Sequence, residues 1–294
     1  MSDSKNILYI FSFMLLILTG CEAESSWAPL PNTGEEPVEV RFHASMVGAS
    51  VTVSRSEYTE ENPLEVNEKV GIWNEYYNNL SLTCGEKTEK KTQLKMTSGG
   101  RVYYPYGIYN MTIYAYAPYM EALEEGGKLK VTTEWEPEAE GVKDPIWGKT
   151  EVNKETGAKF VNVPFNFTHQ MARLRIQFEA TEVNFTDLNV YLTFDRPQYG
   201  VMNLKDGSMT ASDESTTYTL VPQDLETIYD RTVLSGSILK NIRVTLEDDE
   251  NTYEYSHPWE KTFDASGKIH TITIRPEAIR TNQNTILQPK NKEL

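Results

Sequence analysis

Ala172-Arg173-Leu174-Arg175-Ile176-Gln177-Phe178 decides the fold class. Apolar side chains fall at every second position and polar ones fill the gaps, the period of a strand with one buried face. An amphipathic helix of that length would space its apolar residues three and four apart. The same alternation recurs outward in both directions. Upstream it runs in Val38-Glu39-Val40-Arg41-Phe42, Ser50 to Ser54, Lys128 to Thr132, and Met111 to Ala117, a β-rich run stopped by Pro118. Downstream come Leu188 to Phe194, Thr217 to Val221, Asn241 to Leu246 and Lys268 to Ile274, with turn residues between them. The acidic segment Glu247 to Asn251 separates two alternating runs and reads as a hairpin tip. Helix signals are confined to Met120 to Gly126 and Pro222 to Tyr229. Many short strands with little helix predict an all-β chain made of β-sandwiches.

The chain has 294 residues, of which 39% are hydrophobic, enough to build real cores. Its 28 Lys+Arg against 43 Asp+Glu leave a net charge of −15. That balance excludes nucleic acid as a partner, because phosphate binding needs a surplus of cations. It also excludes docking on an anionic membrane through basic patches. Gly141 to Ala158 is polar and rich in turn residues, and strong alternation resumes just after it. The junction between two sandwich domains is therefore expected near 158–165, giving an N-terminal domain at 38–160 and a C-terminal domain with a polar tail at 161–294.

Ile7 to Leu18 is a continuous apolar run of signal-peptide length, well short of the roughly 20 residues of a membrane span. It leads into Leu18-Thr19-Gly20-Cys21, which resembles a bacterial lipobox, although the preceding MSDSKN carries only Lys5 against Asp3. The expectation is a signal peptide at 1–20, lipidation of Cys21, and a tether at 21–37 rich in Glu, Pro, Ser and Gly. Glu22 and Glu24 resemble the surface-export signal of Bacteroidetes lipoproteins. Together these place the chain on the outer membrane at the cell surface, held by acyl chains. Cys84 is left without a partner for an intramolecular disulfide and reads as a small buried hydrophobe.

No catalytic constellation emerges. His43, His169, His257 and His270 are widely spread and lack metal-ligand spacing. There is no nucleophile elbow, P-loop or CxxC pair. The run Glu247 to Glu250 lacks the glycine and spaced ligands of a calcium loop. No catalytic residue, metal site or cofactor is expected, and the chain does not read as an enzyme. His169 is expected to satisfy a local hydrogen bond at the start of a strand, and Trp147 to plug the seam between domains.

Several ordered motifs resemble the fimbrillin-like (major and minor fimbrial subunit) proteins of Bacteroidales. Tyr103-Tyr104-Pro105 and Ile113 to Tyr119 are similar to that family's YYP and YAYAPY elements. Asp144-Pro145-Ile146-Trp147-Gly148 resembles its DLLWG segment, Phe165 to Leu174 its F-x-H-x-M-A-x-L strand, and Ser54-Arg55-Ser56 its TRA element. The resemblance implies two tandem transthyretin-like β-sandwich domains and export as a surface lipoprotein. It also implies assembly with other fimbrial subunits by donor-strand exchange, after an arginine-specific protease removes an N-terminal strand. Arg55 and Arg41 are the candidate processing sites, although Arg41, inside an alternating run, reads first as a solvent-facing strand residue. The family's usual terminal alternating strand is replaced here by a polar tail in which only Ile286-Leu287 is apolar and Pro276 and Pro289 interrupt. That departure favours an accessory or terminal component over a repeating shaft subunit. The competing reading is a surface lipoprotein that binds glycan or a host ligand through exposed Tyr and Trp without polymerising.

Overall fold

The computed structural model describes residues 36–46, 64–87, 91–179, 185–223, 228–264, 269–280 and 287–291. The first half supplies β1 (Glu39–Met46), β2 (Lys69–Trp73), β3 (Leu80–Lys87), β4 (Thr92–Met96), β5 (Val102–Tyr103), β6 (Asn110–Ala117), β7 (Lys128–Thr132), β8 (Val142–Lys143), β9 (Ile146–Asn153) and β10 (Phe160–His169). Eight of these form one sheet in the order β10-β9-β6-β2-β3-β4-β1-β5. Strand β1 also pairs in parallel with β10, from Glu39 opposite Phe160 to Met46 opposite Phe167, so the sheet returns on itself and closes. Closure removes the free edges that an open sheet leaves along its first and last strands. Alternate side chains point inward from every strand, among them Val40, Phe42, Ile72, Leu82, Ile113 and Phe165, and they fill the first core.

The second half supplies β11 (Ala172–Phe178), β12 (Asp187–Phe194), β13 (Tyr199–Asn203), β14 (Met209–Thr210), β15 (Thr216–Leu220), β16 (Tyr229–Val233), β17 (Ile238–Glu247), β18 (Thr252–Thr262), β19 (Ile269–Ile274) and β20 (Leu287–Asn291). A short helix α1 (Pro276–Arg280) precedes β20 and is the only helix among the described residues. Two four-stranded sheets, β16-β11-β19-β20 and β15-β12-β17-β18, enclose a second core around Leu174, Ile176, Val190, Phe194 and Val244. The alternation at 172–178 thus serves a half-buried strand, as its period requires. The all-β expectation holds.

A fourth sheet, β14-β13-β7-β8, takes two strands from each half of the chain. It carries its own core, with Leu129, Val131, Met202 and Leu204 packed around Tyr116. The period of Lys128 to Thr132 announces a strand but not its partner, which lies more than sixty residues away at Tyr199 to Asn203. β10 also pairs with β1 and β9, so Val161, Val163, Phe165 and Phe167 belong to the first core. Apart from Trp135, the chain reaches the second core only after His169, whereas the composition change points to 158–165.

Met120 to Gly126 is not helical. Gly126 and Gly127 adopt φ of 80° and 77°, a left-handed pair that reverses the chain and pairs Glu124 with Lys128. Residues 224–227, within the other expected helix, and the expected strand Ser50 to Ser54 lie outside the described residues. The acidic tip joins β17 to β18. There Asp248 Oδ1 accepts the backbone N–H groups of Glu250 and Asn251 at 3.1 and 2.8 Å, so this carboxylate caps the turn. Cys84 is buried in the first core, a packing residue as expected.

One contact on the outer face of the first sheet is tight enough to test. Gly71 of β2 lies opposite Tyr116 of β6, and a Cβ on Gly71 would stand 2.2 Å from the tyrosine ring. The ring cannot swing aside freely, because its hydroxyl donates to Asn79 Oδ1 at 2.6 Å and to the Met120 carbonyl at 3.1 Å. Gly71→Ala is therefore expected to destabilise the protein by about 1 to 3 kcal/mol through overpacking. Chemical denaturation measures this, and an unchanged midpoint would show that Tyr116 is free to move.

Candidate functional site

β1 is held on both sides. β10 flanks it in parallel along its whole length, and β4 pairs with Phe42, His43 and Ala44 from the other side. Val40, Phe42 and Ala44 point inward at 5%, 2% and 1% exposure. The Phe42 ring stacks on Phe165 with centroids 6.1 Å apart and an interplanar angle of 12°. Burying Val40 and Phe42 contributes about 1.5 to 3 kcal/mol each. Without β1 the same region becomes a groove. Three strands, β4, β5 and β10, would lose a hydrogen-bonding partner and three inward positions would be vacated, an arrangement that an added strand with alternate apolar residues refills.

Of the sequence-derived processing candidates, Arg41 sits in the middle of β1 on its outer face. Its guanidinium lies 4.1 Å from the centroid of the Phe160 ring and pairs with Glu39 at 3.4 Å. It behaves as the solvent-facing strand arginine that its alternation implies. Arg55 and the lipidation candidate Cys21 lie outside the described residues. A cut after Arg41 would leave Phe42 to Met46 joined to the rest of the chain, whereas a cut after Arg55 would separate the whole of β1.

The junction between the cores has its own polar lock. Asp144 precedes β9 in a left-handed conformation, with φ of 47°. One carboxylate oxygen meets His169 Nδ1 at 3.1 Å and the other accepts from Arg173 at 2.9 Å. His169 closes β10 and Arg173 opens β11, so one carboxylate ties the last strand of the first sheet to the first strand of the second sandwich. Burial alone would push the Asp144 carboxyl up, but the His169 and Arg173 contacts outweigh it and hold the group below the ordinary carboxylate value. The His169 contact is not the local one expected from sequence, since its partner lies 25 residues away. Nothing in the spacing of Asp144, His169 and Arg173 signals that they meet.

Aromatic side chains complete the seam. The Trp147 indole N–H donates to the Leu204 carbonyl at 2.8 Å, so this residue does bridge the two halves. Trp135, just after β7, enters the second core, with its ring 5.9 Å from that of Tyr218. Beside it Glu134 accepts from the backbone N–H and hydroxyl of Thr232, and Glu136 accepts from the Tyr218 hydroxyl. In the YAYA run, Ile113, Ala115 and Ala117 face the first core while Tyr114 and Tyr116 face the junction, the division expected from two-residue alternation. Burial pushes the Tyr116 hydroxyl above its usual value, so it remains a donor at any physiological pH. Among the described residues no cluster of His, Cys, Asp and Glu could hold a metal ion.

A family model described as fimbrillin-like matches residues 46–290. Solved structures share the architecture. The crystal structure of a candidate cell adhesion protein from Bacteroides ovatus is 16% identical, covers 88% of this chain and 96% of its own, and superposes with a TM-score of 0.57. One from Bacteroides uniformis is 18% identical, covers 90% of this chain and 98% of its own, with a TM-score of 0.56. A fimbrial assembly protein from Parabacteroides distasonis is 10% identical over 87% of this chain and 96% of its own, with a TM-score of 0.47. No curated protein matches the chain. At such identities the first two likenesses speak for the fold, while the family rests on the match along most of the sequence. The chain belongs to the fimbrillin-like family.

Proposed function

We propose that this chain is a surface-anchored fimbrial subunit that assembles by accepting a neighbour's strand into the groove left by β1, and that its role is structural and adhesive, not catalytic. The observation that carries this reading is the position of β1. It is the strand nearest the N-terminus among the described residues, it closes the first sheet between β4 and β10, and it buries Val40, Phe42 and Ala44 in the core. A precursor that carries its own filler strand is stable during export and becomes assembly-competent only when that strand is lost. Lipidation at Cys21 anchors the precursor to the outer membrane, and cleavage after Arg55 releases the anchor together with β1.

The C-terminal strand supports a terminal or accessory position over a shaft position. Among the described residues β20 pairs only with β19, at the outside of its sheet. Its alternate residues Leu287, Pro289 and Asn291 would have to replace Val40, Phe42 and Ala44, and they match them poorly in size, polarity and backbone donors. A subunit able to accept a strand but poorly equipped to donate one ends a filament. Immunogold labelling is expected to find the protein at the cell surface and at filament ends. Label confined to the periplasm would overturn the proposal.

A further inference from the structure

The second sandwich carries a cavity of about 270 Å³ where the outer strand β18 faces β19. Its floor is made of core side chains such as Leu174, Phe263 and Ile272, each 1% exposed or less, so an apolar ligand would gain little by entering. What a solute meets instead are the walls. His257, Trp259 and Lys261 alternate along one face of β18, and His270 and Thr271 come from β19. The rings continue beyond the cavity as a row. Tyr255 stacks on His257 at 6.2 Å and 9°, and His257 meets Trp259 edge-on at 6.1 Å.

This combination has a definite chemistry. Flat, half-exposed rings next to hydrogen-bonding groups suit a ligand with an apolar face and a polar rim, which describes a pyranose ring. Among the described residues no Asp or Glu side chain lines the cavity, although the chain as a whole carries a net charge of −15. Lys261 supplies a cation at the wall, so the local preference is for an anion. The volume falls just below the roughly 300 to 1,000 Å³ of drug-sized sites and admits a single ring.

We propose that this cavity binds one carboxylate-bearing sugar residue of a surface glycan, with the sugar ring against Trp259, its carboxylate at Lys261 and the neighbouring sugars along His257 and Tyr255. This deepens the adhesive half of the proposed function and does not depend on strand exchange.

Titration of the uncleaved chain, which retains β1, with methyl glucuronide and the methyl glycoside of N-acetylneuraminic acid, against neutral methyl glucoside, tests the site by calorimetry or ligand-observed NMR. At least one acidic sugar is expected to bind about tenfold more tightly than the neutral one, a difference of about 1.4 kcal/mol. Trp259→Ala should abolish detectable binding. Lys261→Gln, at a partly exposed position, should bring acidic and neutral sugars to within about twofold of each other. Absence of binding by both acidic sugars, equal binding of acidic and neutral sugars to the unaltered chain, or an acid preference that survives Lys261→Gln would each overturn the assignment. Immunogold labelling reads filament assembly and does not read this site, so either proposal can fail without the other.

Discussion

Phe42→Ala is expected to lower the stability of the first core by about 3 to 5 kcal/mol, the range for truncating a buried phenylalanine. Phe42 is 2% exposed and its ring lies parallel to that of Phe165. The loss includes the transfer free energy of the ring and the void left against Phe165, which the closed sheet cannot collapse around. Because β1 is the strand proposed to leave, the variant should also loosen that strand selectively. Hydrogen exchange of the β1 and β10 amides should accelerate more than exchange in β12 and β17 of the second sandwich. Denaturation followed together with exchange measures both effects. A change under about 1 kcal/mol would mean that the Phe42 pocket relaxes and that β1 contributes little to the core.

Asp144→Ala is expected to cost about 3 to 5 kcal/mol, because it strips Arg173 of a partner in a partly desolvated junction. Asp144→Asn keeps the shape while removing the charge, and should fall between the alanine variant and the unaltered chain. The pH dependence has a definite sign. The carboxyl of folded Asp144 lies below its unfolded value, so its contribution is complete above the unfolded carboxylate value of about 3.9 and is lost as pH falls through the folded value. The stability gap between the unaltered chain and Asp144→Asn should therefore be present at about pH 5 and narrow below about pH 4. Denaturation midpoints across that range decide it. A gap that persisted unchanged at pH 2 would remove the ionised carboxylate from the explanation.

The strands were legible because their burial is one-sided. At 172–178 and 187–194 inward and outward positions alternate without a break, and the sequence shows the same alternation. Pairing is a different matter. Nothing within Lys128 to Thr132 distinguishes a strand of the first sheet from one that pairs with Tyr199 to Asn203, since both need one apolar face. The same limit explains β10, whose alternation is as strong as that of β11 although the two strands serve different cores. Gly126-Gly127 overrode the helical tendency of the preceding Met120 to Glu125 by turning the chain. In the candidate site, the buried side chains of β1 and the outward-facing Arg41 follow from period two alone. The Asp144, His169 and Arg173 cluster does not, because it joins a turn and two strand ends, where no local pattern records a contact. The cavity between β18 and β19 was hidden for the same reason. Its walls alternate along β18 like any strand face, and only the neighbouring sheet makes them a cavity.

The central claim is that β1 fills a groove in the precursor and is absent from the assembled form. Intact-mass analysis of the protein recovered from surface filaments tests it most directly. The account predicts a chain that begins at Ser56, without β1 and without the lipid on Cys21. A filament-incorporated chain that retains Glu39 to Met46 and a lipidated Cys21 would contradict it.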